Sequence, residues 1–311
     1  MQVVVIEPIH PEPLARLRQE VDVITWDDPR VKDWSNADGL IVRIAPVTRE
    51  MILSGPKLRV IGKHGIGVNN IDIPTARERN IDVVYTPTAN VNSVAELIVT
   101  FMLTLSRKIQ ENGLTLRAGA KRITPPELTG SEITRKTIGF VGLGRIAQRT
   151  AEICKRGFDM GTAAFDPMVP PARFAELGMQ RHERLDQLMA ACDVVAVCVP
   201  YTPQTRNLIS RAEFAACKPG CLLINTARGG IVDEVALAEA LRGGRLGGAA
   251  CDVFETEPPP ADHPLLAFPN FVGALHMGGS TQESLMRVGS TVVQDVLAVL
   301  RGDKPDFPYA G

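Results

Sequence analysis

The sequence predicts an α/β fold of two doubly wound parallel-sheet domains. Three observations support this. Short β-branched runs alternate with longer amphipathic stretches along nearly the whole chain. The runs are continuously apolar rather than alternating, as strands buried on both faces must be. They also fall into two series separated by a long apolar segment, and 311 residues are enough for two cores.

The first series is Val3 to Ile6, Gly39 to Val42, Leu58 to Gly62 and Asp82 to Tyr85. The second is Ile138 to Val141, Thr162 to Phe165, Val194 to Val197, Cys221 to Asn225 and Gly247 to Val253. Helical patterns lie between them, at Thr75 to Arg79, Ile146 to Arg156, Leu185 to Ala191 and Glu234 to Arg242. The separating segment, Val91 to Arg107, lacks Gly and Pro and reads as a buried helix. A polar stretch from Gln110 to Lys136 follows, with Thr124-Pro125-Pro126 inside it. A last helix is expected from Thr281 to Leu300, after the second series is complete, packing back on the first domain. The expected domains are 1–100 with 285–311, and 101–284.

Composition excludes several classes. Hydrophobic residues make up 45% and charged residues 22%, and the formal net charge is -1, so no bulk charge attracts nucleic acid or an anionic membrane. MQVVVIEPIH has no basic n-region and no apolar stretch approaches a membrane span, so a soluble cytoplasmic protein is expected. The six cysteines form no C-x-x-C pair and read as reduced, mostly buried side chains; no zinc site is expected.

One turn carries the first chemical signal. The run Ile138 to Val141 leads into Gly142-Leu143-Gly144-Arg145-Ile146-Ala147, and a helix starts there. Gly142 permits a tight turn, Gly144 lets the backbone approach a pyrophosphate on the helix N-terminus, and Ala147 allows close helix–strand packing. Alone this pattern is weak, since a plain Gly-rich turn has the same look. The next strand, however, ends in Asp166 at the spacing of a ribose-binding carboxylate. Asp166 would repel a 2′-phosphate, and Pro167-Met168-Val169 supply no cation, so NAD is expected over NADP. The fold then reads as a Rossmann cofactor domain and a flavodoxin-like substrate domain around a cleft.

Three later segments sit at strand ends, where open α/β sheets bind ligands. LLINTARGGIVD carries Arg228, GGAACDVFETEP carries Asp252 and Glu257, and FVGALHMGGST carries His276 after a short apolar run. Reducing a 2-oxo acid needs a cation for the carboxylate and a proton donor for the oxo group. Arg offers a planar, permanently charged fork, and a carboxylate beside a His favours the imidazolium form. Singly, these residues read better as a helix-start surface cation, an exposed turn residue and a hydrogen-bonded strand-end histidine. Jointly, behind the nucleotide turn, Arg228, Glu257 and His276 meet the chemical need. Arg43, after the second run, reads either as a cation for a second anionic group or as a solvated strand-end residue.

With these motifs in order, the chain resembles the D-isomer-specific 2-hydroxyacid dehydrogenases, which include phosphoglycerate dehydrogenase. The resemblance spans nearly the whole sequence. It rests on Lys63-His64-Gly65-Ile66-Gly67-Val68-Asn69-Asn70-Ile71-Asp72, Asn90-Val91-Asn92-Ser93-Val94-Ala95-Glu96, Val141 to Ala147, and Asn225-Thr226-Ala227-Arg228-Gly229. Asp252-Val253-Phe254 with Glu257-Pro258, and His276-Met277-Gly278-Gly279-Ser280-Thr281, complete it. The resemblance implies a catalytic Arg228, an acid/base His276 and a Glu257 paired with that His. It implies that backbone around Ile66 and Gly67 holds the substrate carboxylate, with Asn90 nearby. Val199, Pro200, Thr226 and Ala227 would line the cofactor, Asp252 would hold its carboxamide, and Gly278 and Gly279 would lie beside it. It also implies a homodimer, and domains that close on a 2-hydroxy or 2-oxo acid.

The sequence departs from the family at Leu275, often Pro, at Asn69, often Asp, and at Cys198, often His. Unlike many phosphoglycerate dehydrogenases, no regulatory domain is expected after the last helix. An NADH-sensing corepressor on the same fold is the competing reading. A formate dehydrogenase would carry Gln in place of Glu257.

Overall fold

The computed structural model describes residues 1–123 and 125–310, so Thr124 of the proline-containing stretch lies outside it. In chain order the elements are β1 (Gln2–Val5), α1 (Pro11–Arg18), β2 (Asp22–Ile24), β3 (Gly39–Val42), α2 (Arg49–Ser54), β4 (Val60–Lys63), α3 (Ile73–Glu78) and β5 (Asp82–Val84). Then come α4 (Val91–Ser106), α5 (Ile109–Arg117), β6 (Thr137–Val141), α6 (Arg145–Phe158), β7 (Gly161–Phe165), α7 (Pro171–Glu176), β8 (Gln180–Arg181), α8 (Leu185–Ala191) and β9 (Val194–Val197). The chain ends with α9 (Arg211–Ala216), β10 (Cys221–Asn225), α10 (Glu234–Arg242), β11 (Leu246–Cys251), β12 (Phe271–Gly273) and α11 (Gln282–Arg301).

Two compact units result: Met1–Asn90 with Gly279–Gly311, and Val91–Gly278. The seam falls before α4 rather than within it. The first unit holds a five-stranded sheet in the order β2-β1-β3-β4-β5, the flavodoxin-like order. The second holds a seven-stranded sheet, β12-β11-β10-β9-β6-β7-β8, a Rossmann arrangement with one strand added. Every strand pairing is parallel.

The continuous apolar runs have the expected cause. Along β9, Val195 and Val197 join one core cluster, while Val194 and Ala196 join the cluster on the opposite face. The first face is covered by α8, α9 and α10, the second by α4 and α6. In the first unit, α1 and α11 cover one face through Leu14, Leu17, Val292 and Val296, and α2 and α3 cover the other through Ile52 and Ala76. Each fully buried aliphatic side chain contributes roughly 1.5–3 kcal/mol.

The structure adds elements to the sequence reading. β2 and β8 were not expected, and β12 was visible only as a short apolar run; all three lie at sheet edges. The polar stretch after residue 110 forms α5 for its first part. The last helix does belong to the first unit and starts at an N-cap, where Thr281 Oγ1 accepts the Ser284 N–H at 3.1 Å. Among the described residues, no helix is long and apolar enough to cross a membrane.

Candidate active site

At the carboxyl end of β6 the chain turns through Gly142, whose φ of +95° suits only glycine. A Cβ there would also lie 2.7 Å from Val199 Cγ1 and 2.8 Å from the Cys198 carbonyl oxygen, so this turn packs directly on the end of β9. Gly144 differs. It is the N-cap of α6, offers no capping side chain, and a Cβ there would meet nothing within 4 Å. The first-turn N–H groups of a 14-residue helix, including those of Arg145 and Ile146, therefore face open space, where an anion is favoured.

Asp166 ends β7. Its Oδ2 accepts the Leu143 N–H at 2.9 Å and its Oδ1 accepts the Met168 N–H at 2.9 Å. The carboxylate thus fixes the middle of the glycine turn. Val199 and Pro200 follow β9, and Thr226 and Ala227 follow β10, along the same edge. Asn225 holds that last turn: its Oδ1 accepts the Ala227 N–H and its Nδ2 donates to the Arg228 carbonyl, both at 3.1 Å.

Arg228, Glu257 and His276 belong to one unit, where His276 bonds Glu257 and the charge of Arg228 acts on the same carboxylate. Gly229 lets the Arg228 turn abut the segment after β11, since a Cβ on it would fall 1.9 Å from the Phe254 carbonyl oxygen. The Arg228 guanidinium donates to the Ala227 carbonyl at 2.6 Å. Burial pulls its pKa down, against the charges of Glu257 and Asp252, which favour the cation. Glu257 Oε1 accepts the Phe254 N–H at 3.1 Å, and Oε2 takes a hydrogen bond from His276 Nδ1 at 2.8 Å. Burial alone would raise the Glu257 pKa, but the bond and charge of His276, the Phe254 N–H and Arg228 together lower it. With Nδ1–H donated to Glu257, Nε2 is the ring nitrogen left for a substrate.

Asp252, at the end of β11, is 2% exposed and accepts the N–H groups of Met277 at 2.7 Å and Gly278 at 2.8 Å. Its carbonyl accepts the His276 N–H at 2.8 Å. Burial raises the Asp252 pKa, with those two N–H groups opposing. His276 has φ +52°, a conformation that costs a non-glycine residue about 1 kcal/mol or more and persists where its surroundings impose it. Anchoring this loop is a task of Asp252 that sequence reasoning did not see.

In the other unit, Arg43 follows β3. Glu7 accepts three backbone N–H groups there: Arg43 at 2.6 Å, Ile44 at 2.8 Å and Ala45 at 3.1 Å. Lys63 donates to Asn70 Oδ1 at 2.7 Å and to the Arg43 carbonyl, and Asn70 Nδ2 donates to the Ala45 carbonyl at 2.7 Å. The Arg43 guanidinium makes one long bond, to the Pro8 carbonyl at 3.3 Å. Ile66 and Gly67 follow Gly65 in the loop after β4, and Gly279 lies against Asn90, 3.3 Å from its Nδ2 to an added Cβ. Glu7 carried no sequence signal, because the backbone N–H groups that it accepts lie more than thirty residues away; Lys63 and Asn70 stood in a family motif, but their bonds to one another and to the Arg43 and Ala45 carbonyls were not visible in it.

An uncapped helix start behind a glycine turn, beside an Arg–Glu–His constellation at strand ends, defines a nucleotide-binding oxidoreductase fold. Residues 99–278 match the family model described as D-isomer specific 2-hydroxyacid dehydrogenase, NAD binding domain. The chain belongs to this family, and its second unit is the NAD-binding domain. It is 38% identical over 311 residues to D-3-phosphoglycerate dehydrogenase of Methanocaldococcus jannaschii, covering 97% of this chain and 58% of that one. The chain thus spans little more than half the length of that relative. Among solved structures, a protein of Thermus thermophilus superposes with a TM-score of 0.92 at 34% identity, over the full length of both chains. D-lactate dehydrogenase of Lactobacillus jensenii, solved with NAD+, superposes with a TM-score of 0.81 at 25% identity, again over both full chains.

Proposed function

We propose that this protein is an NAD-dependent dehydrogenase that interconverts a D-2-hydroxy acid and its 2-oxo acid, with 3-phosphoglycerate or another acid bearing a distal anion as substrate. The observation that carries the reading is the convergence of Arg228, Glu257 and His276, with the His–Glu bond at 2.8 Å. The D-3-phosphoglycerate dehydrogenases at 38% identity support the substrate class.

The unshielded start of α6 fits a pyrophosphate, received by Gly142, Gly144, Arg145 and Ile146. Asp166 takes the adenosine ribose with the lone pairs that Leu143 and Met168 leave, and it disfavours a 2′-phosphate. Val199, Pro200, Thr226, Ala227, Asp252, Gly278 and Gly279 receive the nicotinamide half. When bound, NAD supplies or accepts the hydride. Arg228 grips the substrate carboxylate, and within the first unit the backbone at Ile66 and Gly67 and the side chain of Asn90 are proposed substrate contacts. His276 Nε2–H hydrogen-bonds the oxo group and delivers its proton to that oxygen; in oxidation it takes the proton back. Glu257 bonds the ring at Nδ1 and so holds it with Nε2 toward the substrate. Arg43, with a weakly occupied guanidinium, receives the distal anion.

The working protein is a cytoplasmic homodimer in this reading. The free cysteines accord with a reducing compartment. Ile109 and Leu116, seven residues apart on one face of α5, are exposed apolar side chains that a second copy would cover. NADH consumption against glyoxylate, pyruvate, hydroxypyruvate and 3-phosphohydroxypyruvate, repeated with NADPH, tests the function. Turnover with NADH and a preference for the phosphorylated acid is expected. Equal rates with NADPH would overturn the role of Asp166, and tight NADH binding without turnover would replace the enzyme by a sensor.

A further inference from the structure

A second carboxylate–imidazole pair lies on the far side of the Glu257 turn. Glu234 is the first residue of α10, after the N-cap Asp233. Its Oε1 accepts the Glu255 N–H at 2.7 Å, and its Oε2 faces His263 Nε2 at 3.0 Å. His263 caps the short 3-10 turn Pro264–Ala267, with Nδ1 accepting the Leu265 N–H at 3.4 Å. An accepting Nδ1 leaves the proton on Nε2, so the ring donates to Glu234. Its edge packs on the Phe254 ring, 5.5 Å between centroids. Both side chains are largely buried, at 13% and 17% exposure, where a loose rotamer is not tolerated.

This pair grips the same peptide that serves the catalytic groups. The peptide joining Phe254 to Glu255 gives its N–H to Glu234, and its carbonyl oxygen is the surface that Gly229, next to Arg228, packs against. One residue earlier, the Phe254 N–H is the donor that orients Glu257 Oε1. Movement of this peptide would therefore shift Arg228 and turn Glu257 away from His276 together.

We propose that Glu234 and His263 are positioning residues for the Arg228–Glu257–His276 constellation: they pin the 254–257 turn to the start of α10, and the Glu257–His276 bond depends on that grip. This rests on the reading of Glu257 and His276 as the acid–base pair. Displacements near 1 Å at a reacting group cost on the order of 100-fold in rate.

The test combines turnover, NADH affinity and amide hydrogen exchange. Glu234→Ala is expected to lower kcat roughly 10- to 100-fold, with NADH affinity unchanged. Exchange should quicken in the 254–257 turn and not in the sheet. Glu234→Gln keeps an acceptor for the Glu255 N–H and restores most of the rate, and His263→Gln keeps a donor and does the same. In a Glu257→Gln background, Glu234→Ala should cost less than in the wild type, because the part of its effect that runs through Glu257 is already lost. Wild-type exchange in the turn of Glu234→Ala, or an undiminished rate loss in the Glu257→Gln background, overturns the proposal. If the wild-type protein turned over no 2-oxo acid, the functional reading would fall, and exchange in the turn alone would decide whether the pair grips it.

Discussion

His64 and His276 each follow a strand of a parallel sheet, one after β4 and one beyond β12, and their surroundings give them opposite chemistry. His64 is 6% exposed, and its buried Nε2 has no close hydrogen-bond partner among the described residues. Burial, with the charges of Arg43 and Lys63 added, pushes its pKa down to about 3, so it is a neutral packing group at any physiological pH. His276 has about a third of its side chain exposed and meets a carboxylate at 2.8 Å. Both histidines stand in motifs that mark the family. What sets them apart is a carboxylate partner and an exposed edge, which fit His276 for the proposed acid role, and neither is written in the motif itself.

The sharpest way to break that contrast is His276→Ala. Steady-state NADH consumption should fall roughly 100-fold or more, the usual scale for a general acid. The fall should appear in kcat, since the cofactor edge at Gly142, Gly144 and Asp166 does not use the imidazole. Near-normal turnover would show that the ring takes no part in proton transfer.

The sequence read central structure well and peripheral structure poorly, for one physical reason. β3, β9 and β10 are buried on both faces, so all their residues but the hydrogen-bonded Asn225 at the end of β10 are apolar or glycine, and the runs stood out. β2, β8 and β12 lie at sheet edges, are only two or three residues long, and include exposed residues such as Asp22 and Gln180. No periodicity can show in so few positions. The site divides in the same way. Arg228, Glu257 and His276 were legible because turn chemistry surrounds each and the reaction needs all three types. The loop anchors Glu7 and Glu234 were not, nor was the anchoring role of Asp252, because a carboxylate that accepts distant backbone N–H groups looks like any other acid in the sequence.

Arg43 tests whether the first unit contributes recognition as well as scaffold. Arg43→Ala should raise KM roughly 10- to 100-fold for acids with a distal phosphate or carboxylate, the value of a charge-assisted hydrogen bond or two. It should leave KM for pyruvate or glyoxylate unchanged. The Glu7 bonds to the loop are to backbone, so they survive the substitution and keep the loop in place. Equal loss on all substrates would mean that Arg43 supports the loop and does not read the distal group.

The smallest effect, and the one that sharpens the contrast most, concerns His64 and pH. The unfolded chain protonates this ring near pH 6.5, while the folded chain refuses the proton until about pH 3. The neutral ring's contribution to stability is therefore complete above pH 6.5 and is lost as pH falls through that window. One proton taken up on unfolding gives a slope of about 1.4 kcal/mol per pH unit. The chain's two tryptophans, Trp26 and Trp34, both lie in the first unit, so their fluorescence reports its unfolding in urea. Between pH 6 and pH 4 the wild-type unit should lose more stability than His64→Leu by about 1.4 kcal/mol for each pH unit. Parallel curves for the two proteins would mean that the folded chain accommodates the imidazolium.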